Sequence, residues 1–509
     1  MKRLILSLIV VAGTVGAFAA TTPAAQAGLF GGSKSSPTPS PIPSALPTAS
    51  PEPPNVAIPR LEAKLKANPN DQQTMAQLAA EFLQINRPDL SAQLTHHLIQ
   101  IGDKTAQVYY FDGVAMEQLG NDQVGTYDLE QASNLDPTNL GVLAQLAEVY
   151  LKQNRPADAE RIAKRGATFN KTEPEALMTL GSVYAAEQKF DDARASFEQA
   201  YLLNPKDVSP IYQIATTYAQ QNNIPMAIQT INRALTIDPK SVQALVYKAD
   251  LYAKQHDDAQ ASAAYDDAVV AAPSDDDKAL IMERKASYFI TEKKYPQGEA
   301  ILVQVITQYP KIASGYVAYG TYYASQHQLD KATAKLQQAL QIDPNNGPAL
   351  LTLGEVSMQS GHANDSVGYF KKYTQVSPDA QGFALLGQAY SQTHNYSGAR
   401  DSCSRSFELQ RSPETLGCVA GADYELRNYK EAAKIFDVLD HNAHGFLDQN
   451  PTLLYIAAKS YQGAAQCSKA VAAYKRLLPM MRKGTKDYTN VQKSSTATCH
   501  AASTSKHGH

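Results

Sequence analysis

The residues of this chain whose types and spacing suit chemistry are four cysteines and three groups of histidine. Cys403, Cys418, Cys467 and Cys499 form an even set of thiols that can close as disulfides in three ways. Asp440, His441 and His444 supply metal-donor types, as do Cys499-His500 with His507 and His509. A metal ligand has to be oriented by a second layer of hydrogen bonds. These two sets sit in a turn and in a polar tail, so neither is read as a metal centre. His96-His97 reads as a solvent-facing pair on a helix. The chain has no His-Glu-x-x-His, Gly-x-x-x-x-Gly-Lys, Gly-x-Gly-x-x-Gly, Gly-x-Ser-x-Gly or Cys-x-x-Cys. The expectation is a protein that is not an enzyme, with no catalytic residue, no metal and no cofactor.

The elements that must carry these side chains start from the whole chain. Its 509 residues are 43% hydrophobic and 19% charged, with 28 Tyr and no Trp. Lys plus Arg number 46 against 49 Asp plus Glu, a net charge of −3. That balance argues against nucleic acid as the main partner, because phosphate neutralisation needs a basic surface. It also leaves no polybasic patch for anionic lipid.

Lys2 and Arg3 precede an uncharged run from Leu4 to Ala27, whose most apolar part is too short for a membrane span. Small-residue sites follow at Ala17-Phe18-Ala19 and Ala25-Gln26-Ala27. Residues 1–27 are therefore read as a signal peptide, with an uncleaved anchor helix as the alternative. The expected location is outside the cytoplasm, periplasmic or secreted, with no membrane span after cleavage. Nine prolines between Pro37 and Pro59 make 28–60 a disordered, Pro/Ser-rich linker.

From residue 61 the chain repeats. Small residues fall at Ala79, Gly113, Ala147, Gly181, Ala215 and Ala249, each 34 apart, and resume at Ala286, Gly320, Gly354 and Gly387. Three positions later stand Phe82, Met116, Tyr150, Tyr184, Tyr218 and Tyr252. Ala159, Ala193, Ala227 and Ala261 mark a second helix, and Asp136-Pro137, Asn204-Pro205, Asp238-Pro239 and Asp343-Pro344 end units. Leu177, Leu180, Gly181 and Tyr184 share one helical face. Independent marks on one period indicate a repeat array. Extra residues break the register after Pro273 and after Phe436; both are read as longer turns.

Leu177-x-x-Leu180-Gly181-x-x-Tyr184 with Ala193, Phe197, Ala200 and Pro205 resembles the tetratricopeptide repeat pattern. The resemblance covers 61–480, leaving 481–509 as a polar, disordered tail. The usual Trp is replaced by Leu143, Leu177, Ile211, Leu245, Tyr316 and Leu350. The resemblance implies an all-α, right-handed solenoid of about twelve antiparallel helix pairs, binding a peptide or partner protein on a concave face of first helices. It places Cys403 at the Phe-like position of a second helix and Cys418 on the next first helix. The expected disulfides are then Cys403–Cys418 and Cys467–Cys499, with free buried thiols as the alternative. It also assigns groove positions: Tyr110, Tyr212, Thr216, Val246, Asp250, Val317, Thr321 and Glu355 are the candidate partner-binding residues. Truncating Tyr212 is expected to cost little stability, whereas Tyr184, Tyr218 and Tyr252 are expected between helices. The expected function is an exported, non-catalytic interaction scaffold. An accessory protein of envelope polysaccharide synthesis or export, with polysaccharide as ligand, is the alternative.

Overall fold

The computed structural model describes residues 52–496. Every regular element among them is helical. The described chain divides into two compact units, residues 52–272 and 273–496, each holding six antiparallel helix pairs. The N-terminal unit runs from the pair Gln72–Gln84 and Pro88–Gln100 to the pair Val242–Lys254 and Asp258–Ala271. The C-terminal unit runs from Asp275–Thr291 and Tyr295–Gln308 to Pro451–Gly463 and Cys467–Leu477. This is the all-α helix-pair stack expected from the repeat, with its expected number of pairs.

The expected boundaries are too narrow at both ends. Helix Pro54–Ala67 begins inside the proline-rich segment and buries Ala57 and Leu61 against the array. Its Pro54 sits where a helix needs no backbone donor, so the residue is tolerated there. At the other end Lys486–Ser495 is a helix that buries Val491. A terminal repeat has one unpaired apolar face, and an added helix covers it.

Each pair closes by the same two devices. The first is a small residue, Ala or Gly, where the first helix crosses the second, and where it is Gly there is no side chain at all. A Cβ on Gly181 would overlap the ring of Phe197, and one on Gly354 the ring of Phe370. Phe197, Ile231, Tyr265, Leu336, Phe370 and Phe436 fill this position on their second helices and are almost fully buried. The second device is the turn. One residue in the left-handed region follows each first helix, as at Asn86, Gly120, Asn154, Asn222 and Ala465. The next N–H then reaches back to the first helix, as in Arg155 N to Tyr150 O, 2.8 Å, and Asn223 N to Tyr218 O, 2.8 Å. This Schellman closure satisfies carbonyls that would otherwise end the helix unpaired.

The tyrosine three positions after the small residue does more than fill space. Tyr150 OH donates to Glu130 at 2.7 Å, Tyr323 OH to Glu299 at 2.9 Å and Tyr461 OH to Asp437 at 3.0 Å. Each acid lies on the preceding second helix, so the bond ties one pair to the next. A cation covers the ring: Arg155 at 4.2 Å, Lys331 at 5.1 Å and Lys469 at 5.7 Å. Burial, then the bond to Glu130, pushes the Tyr150 phenol up to about 12.

The added residues after Pro273 do not lengthen a turn. They add a turn of helix: Asp275–Thr291 has 17 residues, and Ser274 caps it by accepting from Asp277 N at 3.1 Å. Asp275, Asp276 and Asp277 lie where the helix N-terminus favours negative charge. The second insertion becomes the short helix Phe446–Gln449, entered through left-handed Gly445.

Cys403 and Cys418 are joined, with sulfurs 2.00 Å and Cα atoms 6.0 Å apart. They link Tyr396–Leu409 to Pro413–Glu425. The partner of the other expected bond, Cys499, lies outside the described residues. Chain-entropy reasoning gives about 3 kcal/mol for a loop of 15 residues. The double variant Cys403→Ser/Cys418→Ser is expected to lose about that much in chemical denaturation. An unchanged midpoint would show that packing alone holds this junction.

Candidate functional site

Successive first helices touch within each unit: Leu140–Lys152 meets Pro174–Ala186, Ala313–Ser325 meets Gly347–Gln359, and Ala380–Gln392 meets Pro413–Glu425. Among the described residues no comparable contact joins successive second helices. The side on which helices crowd together is the inner side of a curved stack. The first helices therefore line the inner face of each unit, as the repeat resemblance implies.

Three candidate residues need correcting. Tyr110, Tyr212 and Val246 are buried at 4%, 9% and 1% exposure. Tyr212 shows the reason: its side chain packs on the next first helix, Val242–Lys254. Tyr212 OH meets Ser241 Oγ at 3.1 Å, and its ring lies 6.4 Å from that of Tyr247. Thr216 is half-buried, donates to Tyr212 O at 2.9 Å and meets Tyr247 OH at 3.1 Å. Tyr212 is thus a packing residue, and its truncation costs stability. Tyr218 is the more exposed of the two, with Arg194 4.3 Å above its ring. Tyr247 and Ser241 complete this cluster and were not among the expected residues. Asp250, half-buried, accepts from Tyr265 OH at 2.6 Å.

The remaining candidates lie on the inner face of the C-terminal unit. Thr321 is exposed, and Val317 and Glu355 are half-buried. In the N-terminal unit the exposed ninth residues are Glu148 and Ser182. Glu148 pairs with Lys152 at 2.8 Å. What stays free on these faces is mostly short and polar. Of the histidine groups, Asp440 is held by Arg476 at 2.9 Å and His96 Nε2 lies 3.2 Å from Asp112; the tail group lies outside the described residues. Among the described residues no three donors are grouped to suit a metal ion.

One buried polar cluster was not expected. Thr95 Oγ1 donates to Asp112 Oδ1 at 2.5 Å, His96 Nε2 lies 3.2 Å from Asp112 Oδ2, and the Asp128 carboxyl lies beside Asp112. Asp112 and Asp128 are 1% and 4% exposed. Burial, and then the neighbouring Asp112, pushes Asp128 up to about 7. Two carboxyls in one buried site cannot both ionise cheaply, so they share a proton. The sequence does hold a signal for it. Asp112 takes the place of Leu146, Leu180 and Ile214 in other units, and Thr95 that of Leu129, Phe197 and Ile231.

The family model for the tetratricopeptide repeat matches residues 127–182, 184–241 and 323–389. A search of curated protein sequences finds no match. Among solved structures, the chain is similar to YrrB, "a TPR protein with an unusual peptide-binding site", at 21% identity and TM-score 0.29, covering 37% of this chain and 97% of that one. It is similar to MamA at 20% identity and TM-score 0.27, covering 31% and 93%. It is also similar to the APC/C hetero-tetramer Cut9–Hcn1 at 14% identity and TM-score 0.31, covering 87% and 91%. The matched segments fall on helix pairs closed by one left-handed turn and by a small residue where the two helices cross: the chain is a tetratricopeptide repeat protein.

Proposed function

We propose that the protein is an exported, non-catalytic scaffold that holds an extended peptide or a segment of a partner protein against the inner face of its first helices. The observation that carries this reading is the division of labour along each first helix. Residues such as Tyr212 and Tyr323 are committed to packing, while Thr321, Ser182 and Ser287 stay exposed at one recurring position. A face of short hydroxyls and small side chains lets another backbone approach closely. Tyr110, Tyr150, Tyr212, Tyr319, Tyr322 and Tyr323 on the first helices are buried in the array and cannot stack a sugar, which favours a protein over a polysaccharide. The Cys403–Cys418 bond supports export, because disulfides persist in oxidising compartments. No helix among the described residues is long and apolar enough to cross a membrane.

The reading is tested with Thr321→Arg, which places a long charged side chain on the proposed face. Melting temperature should change little, since exposed substitutions stay within about 0.5 kcal/mol. Partner recovered from envelope extract on the immobilised chain should fall about tenfold or more, the loss of about 1.4 kcal/mol of binding. Recovery equal to that of the unchanged chain would refute the assignment of this face.

A further inference from the structure

Charge is sorted by helix in the middle of the C-terminal unit, whereas the flanking first helices Asp275–Thr291 and Pro451–Gly463 carry Lys278, Arg284, Lys285 and Lys459. The first helices Ala313–Ser325, Gly347–Gln359, Ala380–Gln392 and Pro413–Glu425 contain Glu355, Glu414, Asp423 and Glu425, and no Lys or Arg. The Lys and Arg residues between 313 and 442 all lie on second helices or in turns. Asp423 is buried and accepts from Asn428, so the charges these first helices leave accessible are Glu355, Glu414 and Glu425, all acidic, while the second helices carry both signs.

Two side chains on that face are acceptors in need of donors. Glu355 is half-buried, and among the described residues it has no hydrogen bond and no ion pair. Burial alone pushes its carboxyl above the usual range. At the matching position of the next first helix, Gln388 Oε1 is buried with no partner. Unlike Gln388 Oε1, the Glu355 carboxylate is not sealed from solvent, so it is open to a donor from outside the chain. Leu351 and Met358 flank Glu355 on its helix as half-buried apolar surface. An ammonium or guanidinium group has donors only, on an aliphatic stem that packs along such a wall.

We propose that the inner face between Ala313 and Glu425 takes a basic, extended segment of the partner, with Glu355 receiving a Lys or Arg side chain. The proposal rests on the scaffold reading above and adds the chemistry of what is bound. Charge complementarity selects the occupant: an acidic strip with unfilled acceptors repels an acidic peptide and gives a neutral one nothing to pair with.

The experiment uses fluorescence anisotropy with the full chain and two labelled probes, a short alternating Ser-Lys peptide and its Ser-Glu counterpart. The Lys peptide should bind at least about tenfold more tightly, and more weakly as salt rises. Glu355→Gln should lose about tenfold of that affinity, whereas Glu408→Gln, on a second helix, should lose none. Circular dichroism should show Glu355→Gln folded at an unchanged or higher melting temperature, since it removes an unpaired half-buried carboxyl. Equal affinity for the two peptides, or equal effects of the two Gln variants, overturns the proposal. Tighter probe binding by Lys506→Glu would assign the face to the chain's own C-terminal end and also overturn it. A partner whose capture Thr321→Arg abolishes but Glu355→Gln leaves intact removes this inference alone and keeps the scaffold.

Discussion

Phe370→Ala is expected to destabilise the C-terminal unit by about 3–5 kcal/mol. Phe370 is fully buried, with its ring beneath Gly354 and against Leu386 and Ala389. Gly354 has no side chain to move into the space, and its helix is held by neighbours on both sides, so the cavity stays open. The loss should spread to the adjacent pairs, because a repeat gains its stability from its neighbours. Val303→Ala, on the exposed face of a second helix, is the control and should stay within about 0.5 kcal/mol. Denaturant unfolding followed by circular dichroism reads both. Equal midpoints would show that the glycine-and-ring lock is not what holds a pair together.

The second large effect is a dependence on pH. Asp128 binds its proton more tightly folded than unfolded, because its carboxyl is raised from 3.8 to about 7 by burial and by Asp112. Its contribution is therefore fully present below about pH 4 and is lost as the pH rises to about 7. A tenfold tighter hold on the proton is worth about 1.4 kcal/mol, so the loss amounts to a few kcal/mol across that window. Asp128→Asn keeps a donor for Asp112 without needing a proton. It should raise the melting temperature at pH 7.5 and leave it nearly unchanged at pH 4. Glu283, also raised to about 7 by burial, titrates in the same direction in both proteins, so the difference between them isolates Asp128. A variant less stable than the parent at pH 7.5 would show that the pair is an ionised network and not a shared proton.

The sequence made the array legible because its marks are steric. Gly181, Gly354, Phe197 and Phe370 sit where two helices interlock, and a Cβ at either glycine would overlap the facing ring. The turns were legible too, had Asn86, Gly120, Asn154 and Asn222 been set beside each other on their shared spacing. The groove was not. Position in the repeat says which helix a side chain is on, but not how closely the next helix approaches. Tyr212 was expected on an open face and is covered by that approach, and Val246, expected there too, is buried. The acid pair went unseen for the opposite reason: Asp112 looks like a surface residue until its register shows that it replaces a core leucine. At the N-terminal end, Pro54 and Pro59 suggested an extended linker, yet a helix accepts Pro54 at its first position, and it carries Pro59 in its interior while burying Ala57 and Leu61.

The central claim is that binding belongs to the inner face of the first helices and packing to the rest. Site-specific photo-crosslinking tests it most directly. A photoreactive residue is placed at Thr321, exposed on a first helix, and in a second protein at Lys434, exposed on a second helix. The account predicts a discrete crosslinked partner protein from position 321, lost when Glu355→Gln or a competing Ser-Lys peptide is present, and none from position 434. The same partner crosslinked from position 434 and not from 321 would contradict it.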